Sequence, residues 1–215
     1  MAKIYDIQKT EREKCIVIPN GIDDYWVNNI YLKERILSHP IKIITAGRIE
    51  KNKNQLTVAK AVERMIASKN YKMIYEIVGD VKSNKLYKQL CNYSFVEFKP
   101  FLKKENLITE FRKADIYVMA SHTETFGLVY AEAMTQGMPV VYSKGQGFDE
   151  QFEDGVVGFS VDSTDFHDIV RGIENTIEHF FEISTNAIKL CKKFDWSIVV
   201  SNLVKIYEQT ILKNE

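Results

Sequence analysis

Short apolar runs rich in β-branched residues alternate with longer runs of helical periodicity along this chain. The short runs, which predict strands, are "KCIVIPNG", residues 41–47, residues 72–80, "FVEF", residues 115–121 and "MPVVYS". The longer runs, which predict helices, are residues 55–68, "KLYKQLCNY", "ENLITEFRKA" and residues 126–136, 165–180, 182–194 and 196–212. Strands that alternate with helices favour a parallel sheet covered on both faces. We therefore expect an α/β protein built on one doubly wound parallel sheet.

The composition excludes several classes of function. The 215 residues are 45% hydrophobic and 27% charged, which is ordinary for a globular domain. The 29 basic and 29 acidic residues cancel, so no nucleic-acid partner is indicated. Three widely spaced cysteines form no zinc motif and are expected to be reduced thiols. With no signal peptide or membrane-spanning run in the sequence, we expect a cytoplasmic location.

Polar and glycine residues follow four of the predicted strands. They are Gly47-Arg48, Gly79-Asp80 and the segments 121–127 and 143–147. In open parallel sheets, ligands bind beyond the carboxyl ends of the strands. We therefore expect a binding site at this edge of the sheet.

The stretch "TAGRIEKNKNQ" places two cations, Arg48 and Lys53, at the head of a predicted helix. Cations there oppose the helix macrodipole unless an anion lies between them. The guanidinium fork and the compact ammonium group both suit phosphate oxygens. Taken alone, an exposed basic turn is the simpler interpretation, since exposed cations are common.

The stretch "ASHTETFGLVYAEAMTQGMPVV" carries Glu124 and Glu132 in otherwise apolar surroundings. A helix that starts near Phe126 leaves the amides of Phe126, Gly127 and Leu128 free to bind an anion. Carboxylates accept hydrogen bonds from hydroxyl groups. An anion site with a carboxylate on either side therefore suits a ligand made of a sugar, a phosphate group and a ribose. The alternative is that both acids are ordinary surface charges, but the apolar helix around Glu132 argues against it.

Four strings together resemble a known family: "GRIEKNK", "IVGD", "FRKADIYVMASHTETFGLVYAEAMTQGMPVV" and "EDGVVGF". They are similar to the C-terminal, nucleotide-sugar-binding domain of retaining GT-B glycosyltransferases of family 4, and Glu124 and Glu132 match its EX7E motif. The resemblance implies a Rossmann-like domain at residues 15–195, the single C-terminal half of a GT-B fold, followed by a C-terminal helix at 196–215. Residues 1–14 are then a linker or an added segment.

The resemblance also implies a role for each site residue. Arg48 and Lys53 would bind the donor diphosphate and, with Glu124 on the transferred sugar, carry catalysis, while Glu132 would bind the ribose. The remaining implied contacts are the amides of Phe126, Gly127 and Leu128 to phosphate or sugar, and Phe101 and Leu102 to the base. No metal or other cofactor is implied, because cations and a helix N-terminus stabilise the leaving diphosphate.

Two departures from the family pattern affect this site. The family often has glycine where Pro100 stands, and proline removes a backbone amide near the expected base contacts. Asn54 replaces a usual glycine, but asparagine tolerates the left-handed conformation, so we expect the turn to survive.

Several other residues are candidates for the site. His122 lies close to Glu124 in sequence and invites a general-base role, although lining the pocket or packing is the favoured interpretation. Lys144 and the turn Gly145-Gln146-Gly147 are interpreted as pocket wall. The apolar stripe of the last helix contains Trp196, Val200, Leu203 and Tyr207. It fits either an ordinary core helix or the family's helix that packs back across the interdomain hinge.

The resemblance implies transfer of a hexose from UDP- or GDP-sugar to a glycan or lipid-linked acceptor, as in polysaccharide biosynthesis. The chain has room for one of the two GT-B domains, so its missing partner would be the N-terminal acceptor domain, and this half alone would be inactive. The full-length enzyme could associate peripherally with the inner face of the membrane. The alternative is a non-catalytic GT-B-like scaffold subunit that binds nucleotide or carbohydrate. An epimerase would need catalytic acids and histidines that the sequence does not reveal.

Overall fold

Six strands form a single sheet in the computed structural model, which describes residues 15–69 and 71–212. The strands are β1 (Ile41–Ala46), β2 (Met73–Val78), β3 (Val96–Lys99), β4 (Ile116–Met119), β5 (Val140–Ser143) and β6 (Gly158–Val161). Every pairing is parallel, and the spatial order is β3-β2-β1-β4-β5-β6. This is the strand order of a Rossmann fold, so the predicted doubly wound parallel sheet is confirmed.

Helices cover both faces of the sheet. They are α1 (Asp24–Asn28), α2 (Gln55–Lys69), α3 (Asn84–Leu90), α4 (Lys104–Lys113), α5 (Leu128–Thr135), α6 (Phe166–Glu178), α7 (Phe180–Leu190) and α8 (Trp196–Leu212). Side chains of α4 and α5 pack in one hydrophobic core, and side chains of α2 and α6 pack in the other. Successive residues of the central strands β1, β4 and β5 alternate between the two cores, which explains why these strands are rich in apolar residues.

The first predicted strand is wrong. Residues 15–21 form no strand, and Ile22 makes only an isolated bridge with Asp195, where its N–H donates to the carbonyl of Phe194 at 2.8 Å. Pro19 lacks the amide that a ladder needs. The segment therefore runs to the start of α8 instead of joining the sheet.

Strand β6 and helix α1 were not predicted. Strand β6 begins at Gly158, whose backbone lies so close to the carbonyl of Val140 that any side chain would overlap it. Close approach of a neighbouring strand, rather than an apolar pattern, defines this element. Helix α1 is one short turn capped by the Asp23 carboxylate, which accepts from the Tyr25 N–H at 2.8 Å.

Helix α8 is not a core helix. Val199 is buried, whereas Trp196, Val200 and Tyr207 are 46%, 49% and 61% exposed. The core interpretation of this helix is therefore wrong, and its role at an interdomain hinge stays a prediction. No described helix is long and apolar enough to cross a membrane.

Candidate functional site

Two adjoining cavities open at the carboxyl edge of the sheet. The larger, of about 400 Å³, is lined by Asn20, Lys53, Glu124, Thr125, Phe126, Gly127, Leu128, Val129 and Glu132. The smaller, of about 300 Å³, is lined by Ala46, Gly47, Arg48, Lys53, Val78, Gly79, Asp80, Phe101, Leu102, Leu107 and Val129. Lys53 and Val129 line both, so one elongated ligand could occupy the two together. The nine residues to which the resemblance assigns a role in the site all lie in one or both linings.

Two glycines bring the ends of β1 and β2 into contact beneath the smaller cavity. The N–H of Gly47 donates to the carbonyl of Val78 at 2.8 Å, and the N–H of Gly79 donates to Lys99 at 3.0 Å. Gly79 has a φ of 150°, and a side chain there would overlap the carbonyl of Gly47. Backbone therefore forms this wall, where a flat ligand could approach closely.

The basic turn after β1 folds as the sequence predicts. Asn54 takes the left-handed conformation, with φ 56° and ψ 28°, in place of the expected glycine. Its side-chain amide donates to the carbonyls of Ala120 at 3.0 Å and Ser163 at 2.7 Å, which fixes the turn against the end of β4. The exposed-turn interpretation is correct in part. The Arg48 side chain is 58% exposed beside Glu50, but that of Lys53 is only 19% exposed.

Lys53 and Glu124 form an ion pair in the larger cavity. The Nζ of Lys53 lies 2.7 Å from Oε2 of Glu124, and the two side chains are 19% and 13% exposed. Partial exclusion of water makes such a pair stronger than a fully exposed one. Sequence reasoning missed this contact, because 71 residues separate the partners. Lys53, which is predicted to bind phosphate, and Glu124, which is predicted to bind the sugar, are therefore paired with each other in this structure.

Helix α5 begins at Leu128, two residues later than predicted. Gly127 is its N-cap with φ 77°, and no side chain among the described residues caps it. The left-handed glycine delays the helix, because the backbone cannot turn helical until after it. The first amides of a helix lack internal acceptors. Those of Leu128 and Val129 therefore stand at the cavity wall, where they can bind an anion.

Replacing Gly127 with alanine should destabilise the protein by about 1–3 kcal/mol. The new methyl group would overlap the ring of Tyr130 and lie 3.2 Å from Cγ of Glu124. Gly145→Ala is a matched control, since Gly145 has a similar φ of 71° but nothing within 4 Å of the added carbon. Urea denaturation measures the loss of stability in both variants. Gly145→Ala reports the cost of backbone strain alone, and the additional loss in Gly127→Ala reports the overlap with Tyr130. Equal losses of stability would contradict the predicted overlap.

Glu132 projects from α5 into the larger cavity and is half-buried. Burial raises the pKa of its carboxyl group to about 7, and the charge of Asp23 adds to this shift. A hydrogen bond from Trp26 and the charge of Lys104 act in the opposite direction. The interpretation of Glu132 as an ordinary surface charge is therefore wrong.

The loop between β3 and α4 contributes two apolar side chains to the smaller cavity. Phe101 is 65% exposed at the rim, and Leu102 is half-buried against the core. Asn20, Leu107 and Val129 line the cavities but were not predicted. Asn20 belongs to the segment that runs to the start of α8, so no local pattern connects it with Glu124. Leu107 and Val129 have the pattern of ordinary core positions of amphipathic helices.

His122 and the residues 144–147 do not line either cavity. His122 is exposed, with Nδ1 3.4 Å from the hydroxyl oxygen of Ser163, so its predicted place in the pocket is wrong. The turn after β5 contacts the backbone of Glu124 instead of forming pocket wall. Within the described residues, no group of three or more His, Cys, Asp or Glu is placed to hold a metal ion.

A sequence model of the family "Glycosyl transferases group 1" matches residues 30–190, three quarters of the chain. The chain therefore belongs to this family of glycosyltransferases. It is 26% identical over 222 residues to a D-inositol 3-phosphate glycosyltransferase of Geodermatophilus obscurus, an alignment that covers 95% of this chain and 49% of that protein. The chain spans about half the length of the curated relatives that it matches.

Solved structures agree with the fold. The C-terminal domain of a glycosyl transferase group 1 protein, LpcC of Francisella tularensis, aligns with a TM-score of 0.67 at 21% identity, over 82% of this chain and all of that one. The Anabaena protein HepE in complex with UDP and glucose aligns with a TM-score of 0.67 at 22% identity, over 80% of this chain and 49% of that one. The fold is therefore that of one half of a GT-B glycosyltransferase.

Proposed function

We propose that this chain is the donor-binding domain of a retaining, family 4 glycosyltransferase that transfers a hexose from UDP- or GDP-sugar to a glycan or lipid-linked acceptor. One observation carries the proposal. A single sheet edge brings together Lys53, Glu124, Glu132 and the uncapped start of α5. Two acids, a cation and free amides in one cleft suit a ligand that alternates hydroxyl-rich and anionic parts.

The diphosphate would lie between Arg48, Lys53 and the N-terminus of α5. When the bond between the sugar and the phosphate oxygen breaks, negative charge develops on the leaving diphosphate. Two cations and the positive end of a helix dipole would stabilise that charge without a metal ion. Because Lys53 lines both cavities, it can reach a phosphate group held where they meet.

The two ends of the ligand would be held by the two glutamates. Glu132, in the second turn of α5, would accept hydrogen bonds from the ribose hydroxyls, and Glu124 would accept them from the hexose. The base would occupy the smaller cavity, between backbone at Gly47 and Gly79 and the side chains of Phe101 and Leu102. The complex of HepE with UDP and glucose supports UDP-glucose as the first donor to test.

Catalysis would require a second domain that carries the acceptor site. The matched relatives are about twice as long as this chain, which supports this division. We therefore propose that the chain alone binds the donor but transfers no sugar. The complete enzyme would act in polysaccharide biosynthesis in the cytoplasm, at the inner face of the membrane.

Substituting either cation should weaken binding of UDP by about 1.5–3 kcal/mol, the scale of a hydrogen bond to a charged group. Calorimetric titration of Arg48→Ala and Lys53→Ala with UDP should show affinities about 10- to 100-fold lower. Binding of uridine, which has no phosphate, should change little. Lys51→Ala is the matched control, because Lys51 is an exposed cation of the same turn outside both linings. Equal losses of affinity for UDP and uridine would contradict the assignment of Arg48 and Lys53 to the phosphate site.

A further inference from the structure

We propose that Asn52 and Gln146 are positioning residues that hold Glu124 where it meets the sugar of the donor. The inference rests on the proposed function of Glu124. It concerns two side chains that line neither cavity and would not touch the ligand. They act from opposite sides on the same loop, residues 120–127, which contains no helix or strand.

Asn52 holds the N-terminal side of this loop by three hydrogen bonds. Its Nδ2 donates to the carbonyl of Thr123 at 2.9 Å, and its Oδ1 accepts from the N–H of Thr123 at 3.0 Å. Its backbone carbonyl accepts from the N–H of His122 at 2.9 Å. The paired side-chain bonds mimic one rung of a sheet and fix both the position and the direction of the backbone just before Glu124.

Gln146 holds the loop from the turn after β5. Its Oε1 accepts from the N–H of Glu124 at 2.9 Å, and the N–H of Gly147 donates to the carbonyl of Glu124 at 3.1 Å. Gly147 itself presses on the loop, since a side chain there would overlap the carbonyl of Thr125. Both backbone groups of Glu124 are therefore bonded to the same turn.

The two contacts explain how a carboxylate on an irregular loop can have a fixed position. Asn52 immediately precedes Lys53, so one side chain sets the distance between the two partners of the ion pair in the larger cavity. Gln146, in the turn after β5, then fixes the position of the Glu124 backbone relative to the end of that strand. Small displacements of a binding group weaken a directional hydrogen bond steeply. Loss of either contact should therefore affect the sugar more than the nucleotide.

The test compares Gln146→Met, which removes the acceptor, with Gln146→Glu, which keeps an oxygen. Asn52→Ala tests the other side of the loop. In the ligand-free protein, amide hydrogen exchange measured by NMR should rise at Glu124 in Gln146→Met and at Thr123 in Asn52→Ala, and stay slow in Gln146→Glu. In calorimetric titrations, the affinity for UDP-glucose relative to UDP should fall about 5- to 10-fold in Gln146→Met and in Asn52→Ala, but less in Gln146→Glu.

The outcomes separate this inference from the proposed function. Unchanged exchange at Glu124 in Gln146→Met and at Thr123 in Asn52→Ala would overturn the inference, whatever nucleotide binds. Equal losses for UDP and UDP-glucose would also overturn it, since they indicate general damage to the cleft. A wild-type protein that binds neither nucleotide would instead overturn the proposed function, while the exchange data would still decide whether the two side chains hold the loop.

Discussion

Glu132→Gln should be more stable than the wild-type protein at pH 8, by about 3 kcal/mol. Burial raises the pKa of Glu132 from 4.5 to about 7. Between these two values the folded state binds more protons than the unfolded state, so wild-type stability falls as the pH rises through this window. The loss of wild-type stability is therefore nearly complete at pH 8, where the carboxyl group is ionised in both states. Each tenfold difference in the acid dissociation constant between the two states corresponds to about 1.4 kcal/mol. Glutamine keeps the shape without the charge.

Urea denaturation at pH 5, 6, 7 and 8 measures this effect. The two proteins should differ least at pH 5 and most at pH 8. Glu153→Gln is the matched control, because Glu153 is an exposed loop residue and its loss should change the pH profile little. If Glu132→Gln follows the wild-type profile at every pH, the carboxylate is not buried as described. A stabilising effect would mean that the fold tolerates an unfavourable group for the sake of a ligand site.

Glu124→Gln should weaken binding of UDP-glucose about 10- to 100-fold and leave binding of UDP no weaker than in the wild type. The first effect is the loss of a charged hydrogen bond to the sugar, about 1.5–3 kcal/mol. The second follows from the ion pair at 2.7 Å, because removing the carboxylate charge releases Lys53 for the phosphate. Calorimetric titration of the variant with both nucleotides measures the two effects.

Glu132→Gln gives the comparison for this prediction. It removes an acceptor for the ribose, which UDP and UDP-glucose share, so it should weaken both alike. The two glutamate variants should therefore differ in their ratio of UDP-glucose to UDP affinity. A Glu124→Gln variant that loses as much affinity for UDP as for UDP-glucose would contradict the assignment of the two acids.

The parts of the fold that local patterns determine could be predicted from the sequence. The continuous apolar runs of β1, β2 and β4 indicate a sheet covered on both faces, and this is what forms. The glycines after β1 and β2 predict the edge at which the cavities open. Asn54 could be predicted to replace glycine, because its side chain tolerates the left-handed conformation that the turn requires.

The parts of the fold and of the site that depend on contacts between distant segments could not be predicted from the sequence. The apolar run before Pro19 has the composition of a strand, but it does not pair with any of the six strands of the sheet. The segment that contains it instead contacts the start of α8, where Ile22 bridges Asp195. Strand β6 is short and begins with glycine, so its pairing with β5 carries no periodic signal. The ion pair of Lys53 with Glu124, and the contact of Gln146 with the Glu124 amide, join loops that only the folded sheet brings together.

The central claim, that the cleft binds a nucleoside diphosphate, is tested most directly by thermal unfolding of residues 1–215 with UDP, GDP or uridine. A ligand at a hundredfold excess over its dissociation constant stabilises the folded state by about 2.7 kcal/mol. For a domain of this size, that corresponds to a rise in Tm of roughly 5–10 °C. We expect this rise with UDP or GDP and little change with uridine at the same concentration. An unchanged Tm with both diphosphates would contradict the claim.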